Sequence, residues 1–138
     1  MTFLRRPRLT LLVVAAAATA CGRPDLPEHE VPCPGDVVTV AFTGGTTPDF
    51  QWTPACPVAM LEVADMSRGA ESVWRVSGEG ANVIVPEVRY GQTPAGAVEL
   101  RAPAPLRRGI EYRVTLQRWA GEGQRGGLVG GGVARFTP

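Results

Sequence analysis

The sequence predicts an all-β chain, a Greek-key sandwich of about seven strands. Three observations carry that expectation. Short apolar stretches alternate with a period of two. Turn residues interrupt them often, with 17 Gly and 13 Pro in 138 residues. One stretch, Leu106–Trp119, opens with a turn and then alternates strictly. There Ile110, Tyr112, Val114 and Leu116 share one face, and Glu111, Arg113, Thr115 and Gln117 share the other. A Tyr opening such a strand, with Leu106 six residues earlier and Gly109 between, fits a tyrosine corner. In that device the phenol ties back to upstream backbone and fixes the crossover between two sheets.

The N-terminus reads as a removable leader over residues 1–20. Arg5, Arg6 and Arg8 precede an apolar run from Leu9 to Ala20 that ends in small residues. That run is shorter than the roughly 20 residues a membrane-spanning helix needs. Ala18-Thr19-Ala20-Cys21 has two readings. It resembles a bacterial lipobox, although Ala18 stands where Leu is usual, and it also fits a plain small-residue cleavage site. Cysteine arithmetic favours the first. The chain has three Cys, and lipidation of Cys21 leaves Cys33 and Cys56 as an even pair for an oxidising compartment. Acyl chains at about 0.8 kcal/mol per buried CH₂ then give a stable membrane anchor. Gly22 after the Cys points to the outer membrane where there is one, and otherwise to the outer face of the cell membrane. The expected location is the cell envelope.

Residues 21–35 read as a lipid-anchored linker. Pro24, Pro27, Pro32 and Pro34 alternate with polar residues, which favours an extended stalk. His29 is the chain's single His and has no partners at metal-ligand spacing, so no metal is expected.

Residues 36–138 form the predicted sandwich. Asp36–Thr43 is its first strand, with Val38, Val40 and Phe42 on one face. A turn at Gly44–Asp49 leads to Phe50-Gln51-Trp52-Thr53-Pro54, with Phe50 and Trp52 on one side. Val58–Asp65 follows, with Leu61 and Val63 inward, then Ser72–Ser77 with Val73, Trp74 and Val76. Gly78-Glu79-Gly80 turns the chain into a strand at Asn82–Val85. The Gly-rich stretch after Ala120 is a hairpin loop. Val129, Val133 and Phe136 supply the last strand's apolar positions, and Gly130-Gly131-Gly132 marks a bulge or a break in it.

Phe-x-Trp-Thr-Pro, an apolar third strand and Leu-x-x-Gly-x-x-Tyr in this order resemble a fibronectin type III domain in an uncharacterised bacterial lipoprotein. The resemblance implies that Trp52 packs between the sheets, that Leu106 is core and that Tyr112 makes the corner. Pro86–Pro105 is longer than the family needs and reads as an insertion, and another immunoglobulin-like variant of the sandwich remains open. The topology also brings the start of the first strand and the loop after the second to one end. Cys33 and Cys56 then form a sensible bridge, closing a loop of about 24 residues worth roughly 3 kcal/mol.

Composition excludes some functions. All 14 basic residues are Arg, and removal of the leader leaves eleven against thirteen acids. That balance of about −2 does not suit nucleic acid. No nucleophile–base–orienter set is visible. Glu62, Glu99 and Glu111 fall at outward strand positions, where charges are ordinary. No Gly-rich phosphate motif occurs, and no cofactor is expected. The remaining expectation is a non-enzymatic, lipid-anchored module that meets an envelope protein. The alternative is a carbohydrate-binding module using Trp119, Trp74 and Tyr90, with Arg113 on the Trp119 face and able to stack on it.

Overall fold

The computed structural model of the protein describes residues 37–120 and 126–138. Among the described residues there are eight strands: β1 (Thr39–Phe42), β2 (Asp49–Thr53), β3 (Met60–Asp65), β4 (Glu71–Ser77), β5 (Val88–Arg89), β6 (Val98–Arg101), β7 (Tyr112–Trp119) and β8 (Leu128–Phe136). The single helical element among the described residues is a 3₁₀ turn, Met66–Arg68. The strands form two antiparallel sheets in the orders β1-β2-β5 and β6-β4-β3-β7-β8. This is an all-β, two-sheet architecture, as the alternation predicts.

The larger sheet is organised on β3 and β7. Leu61 pairs with Leu116 and Val63 with Val114, so the apolar sets of both strands share one face. On the other side of β3, Leu61 pairs with Val76 and Val63 with Trp74. All six side chains are fully buried, as is Phe50 from the smaller sheet. The outward partners are polar. Glu62 lies opposite Arg75 and Thr115, and its Oε1 accepts from Arg75 Nη2 at 2.5 Å.

One end of the sandwich is sealed by an aromatic cluster. The Phe136 ring lies 5.3 Å from Phe42, 5.6 Å from Phe50 and 5.7 Å from Tyr112. It therefore ties β8 to β1, β2 and β7, and each ring pair adds to what area burial alone contributes. At the other end Val38 N–H donates to Gly131 O at 2.5 Å, which brings the start of β1 onto β8.

Several expected elements are corrected. Asn82–Val85 is not a strand; it contributes only the Val58–Ile84 bridge. Its Asn82 side chain holds Trp119 backbone instead, and Pro86 follows directly. Pro86–Pro105 holds β5 on the smaller sheet and β6 on the edge of the larger one, which raises the strand count to eight. In β8 the bulge is present. Leu116 pairs with Gly132 and Gln117 with Gly130, so Gly131 is the extra residue. The bulge resets the alternation, leaving Val133 61% exposed and putting Gly132 inward. Val129 is half-buried, so of the three predicted apolar positions only Phe136 is core.

Candidate functional site

The two ends of the sandwich differ, and the predicted residues divide between them. Thr39, Thr53, Ser77, Trp119 and Leu128 mark one end by their register; Phe42, Asp49, Asp65, Tyr112 and Phe136 mark the other.

At the Phe42 end, Tyr112 is buried and its Oη accepts from Arg107 N–H at 3.0 Å. Leu106, next to Arg107, is buried as well. The tie-back expected of a corner tyrosine is thus the observed contact. Arg107 also reaches across the sheet ends, its Nη2 donating to Asp65 Oδ2 at 2.9 Å. Asp65 Oδ1 accepts from Ser67 N–H at 2.9 Å and from Ser67 Oγ at 2.6 Å. Asp65 is only 2% exposed. Its charge is tolerated because each oxygen has a donor. The Ser67 hydroxyl, and then Arg107, hold the Asp65 carboxyl below the usual carboxylate range, against the upward push of burial. Sequence reasoning missed this group, although Asp-x-Ser before a turn is a capping signature.

Two expected outcomes follow here. Tyr112→Phe leaves Arg107 N–H without its acceptor and should cost about 1–3 kcal/mol in urea unfolding. A loss below about 0.5 kcal/mol would show that water replaces the phenol fully. The second concerns pH. A folded-state carboxyl pKa below its unfolded value contributes stability above the unfolded value, and this is lost as pH falls through the folded one. Asp65 and Asp49, the latter lowered chiefly by Arg89, both behave this way. Melting temperature should therefore fall as pH drops below about 4, and Asp65→Asn should flatten part of that fall. An Asp65→Asn profile parallel to wild type would remove Asp65 from the account.

A shallow cleft of about 310 Å³ lies at this same end, lined by Thr46, Thr47, Tyr90, Gly91 and Pro103–Leu106. Tyr90 does not offer an open aromatic face to it. Tyr90 is 7% exposed, its hydroxyl donates to Ala104 O at 2.6 Å, and burial pushes its pKa well up.

The predicted aromatic platform is not assembled, which corrects two of its members. Trp74 is fully buried, with its ring edge-on to Tyr90 at 5.2 Å. Both sit inside the sandwich, because β4 parity turns Trp74 toward Val63. Trp119 is half-buried at the Thr39 end. Asn82 fixes its backbone like a missing strand partner. Asn82 Oδ1 accepts from Trp119 N–H at 2.9 Å, and Asn82 Nδ2 donates to Trp119 O at 3.3 Å. Nothing in the local sequence marks Asn82 for this part. Arg113 shares the outward face of β7 with Trp119 but lies six residues away, roughly 20 Å along a strand. Stacking of the two is corrected on that ground. Arg113 instead sits opposite Arg135 and Ala64, and Arg135 Nη1 donates to Glu111 at 2.8 Å.

Trp52 is buried, and its Nε1 donates to Cys56 O at 2.8 Å. Cys56 is itself buried. Cys21 and Cys33 lie outside the described residues, as do the leader and linker. Among the described residues no group of three or more His, Cys, Asp or Glu is placed to hold a metal ion. No helix among them is long and apolar enough to cross a membrane. No family model matches the chain, and neither a curated protein nor a solved structure matches it.

Proposed function

We propose that the chain is a lipid-anchored protein of a bacterial envelope, whose sandwich serves as a structural or protein-interaction module of fibronectin type III or related immunoglobulin-like kind. One observation carries the reading. An apolar leader ends at Cys21, a Pro-rich stretch follows, and a two-sheet domain starts directly after it. The pairing of β1, β2 and β5 against a sheet built on β3 and β7, with the Tyr112–Arg107 tie, supports the fibronectin-like assignment. The β6 strand is an addition on the edge. Cys33 is the proposed partner of Cys56, since Cys21 is taken by lipid. The carbohydrate alternative loses support because Trp74 and Tyr90 are core, leaving Trp119 by itself.

The test is intact-mass analysis of the protein purified from its native membrane, with and without reduction. The expected result is a diacyl or triacyl mass on Cys21 and a gain of two hydrogens on reduction. An unmodified Cys21 would overturn the anchor. A protein without the mass gain would overturn the Cys33–Cys56 bridge.

A further inference from the structure

Charged side chains are unevenly distributed along the long axis of the sandwich. At or near the Phe42 end lie Asp49, Asp65, Arg68, Glu71, Arg89 and Arg107, with further arginines beside them. The Thr39 end is different. Among the described residues its charged side chains include Glu79, Arg118 and the exposed Glu99, which follows Val98 opposite Ser77. Three exposed apolar side chains fall at this end, Val37 at 73%, Val85 at 53% and Leu128 at 37%, against Phe42 at 40% on the other. Val37 immediately precedes β1, and Val85 follows the Val58–Ile84 bridge. Leu128 opens β8 opposite the half-buried Trp119.

We propose that the Thr39 end is a membrane-contact surface, on which Val37, Val85, Leu128 and Trp119 meet the headgroup–acyl boundary of the bilayer. The proposal rests on the anchor at Cys21. The chain enters the domain at this end, because β1 starts there. Fifteen residues separate Cys21 from Val37, at most about 50 Å fully extended. An anchored domain is thus held close to the bilayer, and the contact becomes intramolecular, so a few apolar side chains suffice. Trp119 is half-buried with its Nε1 buried, so the part of the indole it exposes is apolar ring. The charge-rich end then faces away from the membrane.

Trp119 makes the proposal readable. Trp52 and Trp74 are buried, so bromine on lipid chains quenches Trp119 selectively. The experiment uses full-length, natively lipidated protein in phosphatidylethanolamine–phosphatidylglycerol vesicles with acyl chains brominated near the headgroup. Flotation and intact mass are read on the same sample, and circular dichroism confirms that each variant is folded. Wild type should be quenched relative to unbrominated vesicles, and Trp119→Phe should lose that quenching. Leu128→Ser, which keeps the reporter, should weaken it. If acylated protein floats with the vesicles and Trp119 is not quenched, this end faces water or a protein partner, and the inference falls while the anchor stands. If Cys21 carries no acyl mass and the protein does not float, both fall together.

Discussion

Trp74→Ala is expected to remove about 3–5 kcal/mol of stability, the range for losing a large aromatic from a packed core. Typical domains have about 5–15 kcal/mol in total, so the variant should lie near the edge of folding at ambient temperature. The expectation follows from position. Trp74 is fully buried on β4, paired to Val63, and packed edge-on against Tyr90. Tyr90 in turn donates to Ala104 O, so the indole supports the segment that leads toward Leu106 and Tyr112. Emptying the site withdraws packing from β4 and from that segment together. Trp74→Phe should cost distinctly less. The Trp74 Nε1 is buried and makes no hydrogen bond, and a buried N–H without an acceptor is unfavourable in its own right. Phe leaves a cavity but removes that penalty. Urea unfolding of the two variants measures the difference. Both variants remove the N–H, so equal losses would show that a phenyl ring recovers none of the lost packing, and a Trp74→Ala loss below about 1.5 kcal/mol would show that the core repacks around the gap.

The same residue shows what the sequence could and could not disclose. Period-two alternation located Phe50, Trp52, Leu61, Val63 and the inward face of β7, because each strand there has one buried face. Leu106 and Tyr112 were legible from spacing, and the Arg107–Tyr112 contact is the one the spacing predicts. Trp74 was harder. Its β4 neighbours Val73 and Val76 do not alternate cleanly, since the register shifts between Val63 and Ala64. A bulge breaks the parity that exposure must be read from. Tyr90 follows a two-residue strand, too short for any pattern to show. The Asp65–Arg107 pair joins residues 42 positions apart, and the Asn82–Trp119 clamp joins residues 37 apart. Such contacts depend on how the sheets are stacked, and no local period encodes them. The candidate surface was misjudged for the same reason. Which end of the sandwich an exposed side chain falls on, Val37, Val85 and Leu128 on one and Phe42 on the other, is set by the strand register and has no local signature.

Gly132→Val should destabilise the domain by about 1–3 kcal/mol or more, the cost of forcing atoms into a filled site. A Cβ at Gly132 would lie 2.6 Å from Val38 O and 2.9 Å from both Val38 Cγ2 and Val40 Cγ2. The nearest of these atoms is backbone, which cannot swing aside as a side-chain tip does. Relief requires β1 to move away from β8. That would break the Val38 N–H to Gly131 O hydrogen bond, and it would disturb the Phe42–Phe136 contact at the far end of the same strand. Gly130→Val is the internal control, because a Cβ there meets nothing within 4 Å. Valine suits an extended backbone and Gly does not, so the control should be neutral or slightly stabilising. Hydrogen exchange of Val38–Phe42 amides distinguishes local from global effects. In Gly132→Val these amides should exchange faster even where the rest of the sandwich remains protected. Equal stability of the two variants would mean that β1 already yields at this point. A loss confined to Gly132→Val would show that the glycine run is a packing requirement: it admits β1 against β8 and so fixes the end of the sandwich at which the preceding chain arrives.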